Sequence, residues 1–467
     1  MSCAMPAEAH HVVIVGGGLA GMAAGVALES AGIRVTLLEA RRALGGRAGS
    51  FEDPQTGEQL DNCQHVLLGC CTNLLDFYRR IGADRHIRFH RAVHFLDPTG
   101  RRYDLRGIPG LPAPLHLGPS FLRFSALTWS ERMALSRAML AMLRLGRAGR
   151  ERLADVPFGQ WLDEHRQPPS LRAKMYEPIL VGSLNEQVRD ASAKYAIAVF
   201  QDAMLANAGG YVLGLPACPL GELYASLPCK TVRLGERVSE LAFSDSSVVG
   251  VRLASGETIA ADAVVLATNH HAVQRWIPPE RAAGDARFAG LEKLRSVPIL
   301  GAHLWFDRPI LRDSHAALMQ GPLQWIFRKN AEGNAIHGVI SAARDWVGVP
   351  HAECLAQFES QLRAVLPDAR EAKLQRGVIV VEKRATFAPL PGSDALRPPQ
   401  SPPAGGIANL YLAGDYTRTG WPATMEGAVR SGYLAADAVL ATLTSASRPS
   451  LVVPDLPIQW PAKVMGL

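Results

Sequence analysis

The chain has 467 residues, of which 48% are hydrophobic and 20% charged, and this composition excludes a disordered or fibrous protein. Its length predicts more than one domain, because a single hydrophobic core rarely serves a chain of this size. The net charge of +6 would suit an anionic partner, but basic and aromatic residues are not interleaved. No nucleic-acid-binding module is recognisable, and we expect no nucleic-acid partner.

The seven cysteines are scattered and include no C-x-x-C pair, which is typical of a protein from a reducing compartment. The beginning of the chain lacks the basic and apolar regions of a signal peptide. An uncharged run over residues 12–28 approaches membrane-span length, but its central glycines suit a lipid-facing helix poorly. These features predict a cytoplasmic location and no transmembrane helix.

The first fifty residues have the pattern strand, glycine turn, helix, strand. Residues 12–15 are an apolar run typical of a buried parallel strand, a helical pattern covers 19–31, and a second strand covers 34–38. The G-x-G-x-x-G motif of the turn consists of Gly16, Gly18 and Gly21. Such glycines let the backbone approach a pyrophosphate at a helix N-terminus, and an acid after the second strand, here Glu39, binds ribose hydroxyls. The segment predicts a dinucleotide-binding fold.

The sequence "ARRALGGRAGS" that follows Glu39 resembles the "E-A-x-x-x-x-G-G-R" continuation of the amine oxidase and carotenoid desaturase superfamily of flavoproteins. The resemblance implies that the dinucleotide is FAD and that Gly45, Gly46 and Arg47 lie along it. Without this pattern, a lone Arg47 would be interpreted as a surface charge.

The later segment "NLYLAGDYTRTGWPATMEGAVRSGYLAA" carries the same resemblance. It predicts an apolar strand over 410–413, then Gly414 and Asp415, and a helix that begins near Thr424 or Met425. The resemblance implies that Asp415 binds the ribityl-phosphate region of FAD. It also implies that the helix N-terminus faces the flavin's pyrimidine oxygen, where partial positive charge stabilises the anionic reduced flavin.

Two middle segments also fit this family. In "TVRLGERVSEL", Val238 stands where the family's main chain contacts adenine. Segment 261–273 predicts an apolar strand that ends at 267–268 beside the cofactor. His270 and His271 are then expected to be ordinary loop histidines, because no carboxylate or cysteine pattern nearby indicates a metal site.

The predicted fold class is α/β, with a discontinuous Rossmann-like FAD-binding domain and an α+β substrate-binding domain of the amine oxidase and desaturase type. The FAD-binding domain is expected at 1–80, 225–290 and 400–445, the substrate-binding domain at 85–225 and 295–395, and a C-terminal tail at 446–467. The strands expected in the substrate-binding domain include "LGAHLWFDRPI", "GVISAARDW" and "GVIVVEKRATF", and the proline-rich stretch 391–403 is expected to be a loop.

The stretch "LDNCQHVLLGCC" holds three cysteines and a histidine, which raises the question of a metal or redox site. Its spacing, C-x-H-x(4)-C-C, matches no common zinc pattern, so we expect no metal. The helical spacing of the residues before Gly82 predicts a helix in which Cys71 is a small core residue. Those residues are Cys71, Leu74, Leu75, Tyr78 and Ile81.

Together with "VEKRATFAPLPG" and the late glycine segment, this stretch resembles the hydroxysqualene dehydroxylases, from His11 to about Leu443. The family pattern Asp-x-Gly-Gln-His is matched by Asp61, Gln64 and His65, whereas Cys63 replaces the glycine. The resemblance makes Gln64 and His65 the polar pair at the flavin pocket, and the cysteines bystanders. His65 would be the acid that protonates a leaving hydroxyl, or a residue that positions that acid. The alternative is a histidine that only packs or forms a hydrogen bond beside the flavin.

The resemblance implies that reduced FAD donates hydride to hydroxysqualene, which yields squalene and water. A carotenoid desaturase or isomerase, which runs the flavin in the oxidising direction, is the nearest alternative, and an amine oxidase is less favoured. A prenyl-chain binding protein of the same fold without catalysis, as in the GDP dissociation inhibitors, is the alternative from another class. The expected partners are a lipophilic isoprenoid substrate and an electron donor that the sequence does not identify.

Segment 131–147, "ERMALSRAMLAMLRLGR", predicts an amphipathic helix with arginines on one side and apolar residues on the other. Such a helix would attach the protein peripherally to an anionic membrane, at the inner face of the cell membrane. The alternative is a helix whose apolar side packs on the substrate-binding domain while its arginines stay in water.

Overall fold

The computed structural model describes residues 10–444 and 448–467, so Cys3 lies outside the described part of the chain. The strands of the described residues are β1 (His11–Val15), β2 (Arg34–Glu39), β3 (Ser50–Glu52), β4 (Gln59–Asp61), β5 (Leu67–Leu68), β6 (Ile87–His90), β7 (Ala92–Leu96), β8 (Arg102–Arg106), β9 (Leu213–Pro216), β10 (Val232–Leu234), β11 (Val238–Ser244), β12 (Ser247–Leu253), β13 (Thr258–Ala260), β14 (Ala263–Leu266), β15 (Ser296–Phe306), β16 (His315–Leu318), β17 (Trp325–Arg328), β18 (Ala335–Ile340), β19 (Leu374–Phe387) and β20 (Leu410–Leu412).

The α-helices are α1 (Leu19–Ser30), α2 (Thr72–Arg80), α3 (Gly118–Arg123), α4 (Trp129–Glu151), α5 (Phe158–Glu164), α6 (Pro169–Leu171), α7 (Glu177–Leu184), α8 (Ala193–Phe200), α9 (His270–Trp276), α10 (Pro279–Ala283), α11 (His351–Val365), α12 (Met425–Leu443) and α13 (Trp460–Val464). The predicted glycine-turn helix and the predicted helix at 424–425 correspond to α1 and α12. The helix predicted around 71–81 is α2.

A five-stranded parallel sheet with the order β10-β2-β1-β14-β20 forms the Rossmann-like part of the molecule. Its central strands are apolar and fully buried because helices cover the sheet. α1 and α12 pack so closely that a Cβ on Gly432 would lie 2.3 Å from the carbonyl oxygen of Ala20. This sheet draws its strands from three distant parts of the chain, and the predicted α/β class is confirmed.

A seven-stranded sheet, β19-β15-β18-β17-β16-β7-β8, forms the other large layer. Its longest pairing joins the antiparallel strands β15 and β19. Two of the three strands expected here, those at 300–310 and 377–387, fall within or overlap β15 and β19. The third, at 338–346, is only partly correct, because β18 ends at Ile340 and a 3-10 turn follows at Arg344–Trp346.

The structure corrects the expected position of the paired histidines, which open helix α9 and do not lie in a loop. The side chain of Asn269 caps the helix by accepting a hydrogen bond from the N–H of Ala272. His270 Nε2 lies 3.0 Å from the carbonyl oxygen of Leu294, and His271 Nε2 lies 3.0 Å from Ser296 Oγ. Both rings have partners within the protein, as structural histidines should.

The amphipathic helix predicted at 131–147 is part of α4, and its apolar side is covered by the protein. Ala134, Leu135, Ala138 and Met142 are buried in the core beneath the seven-stranded sheet. Arg147 pairs with Asp202, so one of the predicted membrane-facing arginines is already neutralised. The packed-helix alternative describes this segment, and its apolar side cannot enter a bilayer.

No helix within residues 10–444 and 448–467 combines the length and apolar character needed to cross a membrane.

Candidate active site

The glycine turn lies at the carboxyl ends of the central parallel strands, where sheets of this kind bind ligands. Gly16 has φ +115°, and a Cβ there would lie 2.5 Å from the carbonyl oxygen of Ala267. A Cβ on Gly21 would lie 1.9 Å from the carbonyl oxygen of Gly16, whereas one on Gly18 would meet no atom within 4 Å. Two glycines therefore close the turn, and the third leaves its outer side open to a ligand.

Glu39 ends β2 and holds the turn through its carboxylate. Its Oε2 accepts a hydrogen bond of 2.7 Å from the N–H of Gly17, and its Oε1 accepts one of 2.8 Å from the N–H of Arg41. The side chain is thus fixed at the rim of the turn. The N–H of Glu236 donates to the carbonyl oxygen of Glu39, which brings the start of β11 close to Glu39. Val238, the first residue of β11, is buried.

The Gly-Gly-Arg segment and the late glycine segment, which are far apart in sequence, meet in one ion pair. Arg47 donates from Nη1 and Nη2 to the two carboxylate oxygens of Asp415, at 2.9 and 2.7 Å. Gly45 donates to the carbonyl oxygen of Gly17, and a Cβ on Gly46 would lie 3.3 Å from the Cα of Gly18. Burial opposes the charge of Arg47, but the Asp415 carboxylate outweighs it and raises the pKa of the guanidinium.

Arg397, in the proline-rich loop, was not identified from the sequence, yet it supports this arrangement. It is fully buried, and its Nη2 donates to the carbonyl oxygens of Asp415 and Thr417. Gly414, just before, has φ +144° and a backbone N–H that donates to Ser431 Oγ at 2.7 Å. The chain that leaves β20 is therefore held rigidly in front of the glycine turn.

Helix α12 begins at the same edge. Thr424 is its N-cap, and Thr424 Oγ1 accepts a hydrogen bond of 3.1 Å from the N–H of Gly427. The described residues offer no acceptor to the N–H of Met425, and this end of a helix carries partial positive charge. Thr268, beside Gly16, has a buried hydroxyl without a partner in the described part of the chain. These open donors fit a bound dinucleotide.

Residues 61–65 lie beside the Gly-Gly-Arg segment. The N–H of Asn62 donates to the carbonyl oxygen of Gly49, and its side-chain amide donates to that of Gly46. Cys63 has no left-handed φ, so a cysteine is accommodated where the family pattern has glycine. The Asp61 carboxylate is buried and accepts hydrogen bonds from Ser50 Oγ and from the N–H of Leu220.

His65 is half-buried, and its Nδ1 donates to the carbonyl oxygen of Cys63 at 2.9 Å. Burial lowers the pKa of His65, so the ring is neutral near pH 7. The neutral ring that donates from Nδ1 has an unprotonated Nε2, which can only accept a hydrogen bond. This geometry suits a positioning group better than a proton donor.

Lys329, which follows β17, is another site residue that was not identified from the sequence. Its Nζ lies 3.0 Å from Asp61 Oδ2 and 3.1 Å from Gln64 Oε1. The amide nitrogen of Gln64 donates to the carbonyl oxygen of His65. A lysine in a strand-end loop carries no recognisable sequence signal, and only the fold brings it to this motif.

Two more histidines lie in this cluster. His303 and His337 are directly opposite on β15 and β18, and their ring centroids are 4.1 Å apart. His303 Nε2 donates to the carbonyl oxygen of Asp61 at 2.9 Å, whereas both ring nitrogens of the fully buried His337 lack a partner in the described residues. Burial lowers the pKa of both rings. Gly301 makes room, because a Cβ there would lie 2.8 Å from His337 Nε2.

The other side chains of this region are apolar. We call the region where residues 61–68 and β9 face the strands of the seven-stranded sheet the chamber. Its apolar wall consists of Cys63, Val66, Leu68, Leu213, Leu215, Ile299, Trp325, Phe327 and Val339. These packed apolar side chains stand beside a small group of polar and titratable ones, and this combination is the usual composition of a small-molecule site.

The remaining cysteines of the motif are packed side chains. Cys70 is buried, and Cys71 is the half-buried N-cap residue of α2 at the edge of the Rossmann core. A hydrogen bond with the Cys71 thiol, together with burial, raises the pKa of Cys70 well above its usual value. Within the described residues, no three His, Cys, Asp or Glu side chains are arranged to hold a metal ion.

Comparisons with known proteins agree with this geometry. Residues 19–440 match the model of the family described as flavin containing amine oxidoreductase. A hydroxysqualene dehydroxylase of Rhodopseudomonas palustris is 30% identical over 447 residues, which cover 92% of this chain and 98% of that protein. A 15-cis-phytoene desaturase of Synechococcus elongatus is 24% identical over 470 residues, which cover 94% of this chain and 98% of that protein.

Among solved structures, an oxidoreductase from Methanosarcina mazei is similar with a TM-score of 0.70 at 16% identity. The match covers 90% of this chain and 98% of that structure, and it supports the fold alone. The open glycine turn and the helix N-terminus that faces it fit the flavin that the family contains. The chain belongs to the flavin-containing amine oxidoreductase family.

Proposed function

We propose that the flavin is FAD and that the protein removes the hydroxyl group of an allylic isoprenoid alcohol, with hydroxysqualene as the substrate. The glycine turn and Glu39 match the needs of a pyrophosphate and an adenosine ribose, which flavin mononucleotide lacks. Arg47, Asp415 and the first turn of α12 would hold the ribityl and pyrimidine portions. The FAD-binding and substrate-binding portions would follow the boundaries predicted from the sequence.

One observation carries the choice of reaction: the apolar chamber contains Lys329, Gln64 and His65 at its polar end. Removing hydrogen from a pure hydrocarbon requires no polar contact with the substrate. Departure of a hydroxyl group as water does require a proton donor and a hydrogen-bond acceptor that orient it. A lysine ammonium and a neutral imidazole meet those two needs.

In this proposal Lys329 donates the proton on which the hydroxyl leaves as water, and Asp61 and Gln64 hold its ammonium in place. His65 accepts the hydroxyl hydrogen at Nε2 and so directs the oxygen toward Lys329. The apolar wall surrounds the isoprenoid chain and excludes water from the allylic carbon. When bound, reduced FAD supplies the hydride that replaces the hydroxyl group.

The relatives named phytoene desaturase support an isoprenoid substrate in either direction of flavin chemistry. The test is incubation of the flavin-loaded protein with hydroxysqualene and dithionite under anaerobic conditions, followed by mass spectrometry of the products. Squalene formed at a rate that depends on the protein is the expected result. Conversion of phytoene with oxidised flavin and a quinone acceptor, without squalene formation, would replace this proposal with a desaturase.

A colourless purified protein that binds no added FAD would favour a prenyl-chain binding protein without catalysis. Dithionite reduces flavin without docking at a specific surface, so this assay does not require the cellular electron donor. A requirement for a protein donor would be detected without excess dithionite: the pre-reduced flavin should support a single turnover, and further squalene should form only after that donor is added.

A further inference from the structure

Large exposed apolar side chains are concentrated in one surface of the molecule. Eight of the twelve in the described residues belong to segments 108–133 and 460–464. They are Ile108, Leu111, Leu115, Leu122, Trp129, Met133, Trp460 and Val464. Single exposed apolar residues are normal, but such a concentration marks an interaction site. We call these side chains the apolar patch.

Hydrogen bonds join the parts of the apolar patch into one surface. Gln459, just before α13, accepts hydrogen bonds at Oε1 from the N–H groups of Ala113 and Ala208. Arg132, in the first turn of α4, donates from Nη1 to the carbonyl oxygen of Leu122 at the end of α3. α13, the loop before α3 and the start of α4 therefore lie side by side.

Trp129 is 66% exposed and Trp460 is 67% exposed. Trp129 and Met133 are one helical turn apart, so they project from the same side of α4. Burial of α4's opposite side in the core fixes their orientation outward. Exposed tryptophan beside exposed leucine and methionine is the composition of a surface that enters the interface of a lipid bilayer.

The charge next to the apolar patch is basic. Residues 105–130 contain no aspartate or glutamate. A surface depression of about 550 Å³ lies between β8 and α3 and is lined by Arg101, Arg106 and Arg123. Arg102 is paired with Asp104 and Asp313, whereas these three arginines form no ion pair within the described chain. The uncompensated positive charge of these three arginines favours binding to an anionic surface.

We propose that the apolar patch and the three arginines form a docking surface for an anionic phospholipid bilayer. The apolar side chains would enter the headgroup region, and the arginines would bind lipid phosphates in the depression. This assigns membrane contact to a different surface from the arginine-bearing side of α4 that the sequence indicated. The inference does not depend on the flavin reaction, since it concerns binding without substrate.

The test is flotation of the full-length protein with vesicles of phosphatidylcholine alone or with 30% phosphatidylglycerol, at low and high salt. The parent protein should bind the anionic vesicles at low salt and should dissociate at high salt. L122S/W129S/M133S should abolish binding, and R106Q/R123Q should weaken partitioning roughly 10- to 30-fold. All five replaced side chains are exposed, so both variants should keep the parent's melting temperature.

The control variants replace exposed residues of the same chemical kind elsewhere. V249S/V347S removes two apolar side chains from other surfaces, and R137Q/R144Q removes two exposed arginines of α4. Both should bind vesicles like the parent. The proposal is overturned if the parent ignores anionic vesicles at low salt, if the control variants lose as much binding as the patch variants, or if the patch instead mediates a dimer that L122S/W129S/M133S dissociates.

Discussion

The glycine-turn edge and the chamber are neighbouring sites that the chain builds in different ways. At the edge, backbone groups and charged residues from a few contiguous segments converge, and each segment has its own sequence pattern. In the chamber, single side chains from residues far apart in sequence meet across two layers. The edge depends on ion pairing and backbone shape, whereas the chamber depends on burial. Substitutions should therefore separate cofactor retention from turnover.

The largest effect is expected at the ion pair that closes the edge. Arg47→Met leaves the Asp415 carboxylate, whose side chain is only 8% exposed, without its partner. The Arg47 side chain is itself 35% exposed, so leaving the buried carboxylate unpaired should cost up to about 3 kcal/mol rather than the full penalty of a completely buried pair. The flavin site should open as well. We expect a clear fall in melting temperature and loss of bound flavin, measured by calorimetry and absorbance.

The matched control for that variant is Arg233→Met, which breaks pairs with Glu236 and Glu257, whose carboxylates are 29% and 48% exposed. A carboxylate that reaches water is destabilised little when its partner is removed, so this variant should stay stable and retain flavin. Equal losses from both arginines would show that the Arg47–Asp415 pair has no special place at the edge.

Glu39→Ala should have the next largest effect, because the carboxylate fixes the turn through Gly17 and would bind the ribose in the proposed FAD site. The chain should fold, since only two hydrogen bonds to backbone N–H groups are lost, and flavin occupancy after dialysis should be severely reduced. Glu39→Gln keeps an acceptor for Gly17 and should retain more flavin. Full occupancy in the alanine variant would remove Glu39 from the list of ribose ligands.

A chamber variant should show the reverse pattern. Lys329→Met should retain flavin and lower kcat for hydroxysqualene about 100-fold or more, the usual contribution of a proton donor. Asp61 keeps two other donors, Ser50 Oγ and the N–H of Leu220, so the motif should remain folded. Lys329→Arg keeps the ion pair but is a far weaker acid, and should restore substrate binding more than kcat. An unchanged kcat in the methionine variant would contradict the role of Lys329.

The chamber should also give the protein a distinctive response to acid. Burial lowers the pKa of His65, His303 and His337, so the folded state resists protonation while the unfolded state takes up protons below about pH 6.5. Stability is therefore complete above pH 6.5 and falls as the pH drops toward the folded-state pKa values. Each such histidine contributes a slope of at most about 1.4 kcal/mol per pH unit, the limit for a difference of one bound proton.

His337→Leu removes one of these protons and two unpartnered ring nitrogens, so it should flatten the acid slope of the unfolding free energy by about one proton. Denaturant titrations between pH 5 and 7.5 measure that slope. His351→Leu, at the exposed start of α11, is the control and should leave the slope unchanged. Parallel slopes for the parent and His337→Leu would mean that His337 titrates normally in the folded protein.

The contrast between the glycine-turn edge and the chamber also explains which features could be predicted from the sequence. The glycine turn, the end of β2 at Glu39 and the start of α12 depend on local rules of helix and strand geometry, so these elements lie where the sequence pattern predicted them, and the α/β class is confirmed. Lys329 and His337 were missed because β17 and β18 carry no motif, and their meeting with residues 61–65 depends on the register of the large sheet.

Burial was predicted less well than position, as α4 and α2 illustrate. The amphipathic pattern of α4 was predicted correctly. Such a pattern shows that the apolar side is covered, but it does not show whether a bilayer or the protein's own core covers it. For α2, Cys71 was predicted to be a core residue of the helix. The helix begins at Thr72, so Cys71 is its half-buried N-cap residue and Cys70 is the more deeply buried cysteine.

The smallest effect is expected from those two thiols. Cys70→Ala and Cys71→Ala should each leave turnover within a few-fold of the parent, because neither sulfur contacts the polar end of the chamber. Truncation of the buried Cys70 should cost more stability than truncation of the half-buried Cys71, since it leaves a small cavity. Melting temperatures and steady-state rates of the flavin-loaded variants measure both quantities. Zinc or iron bound at one equivalent per chain, and lost together with activity in either variant, would show that the thiols are functional ligands rather than packing residues.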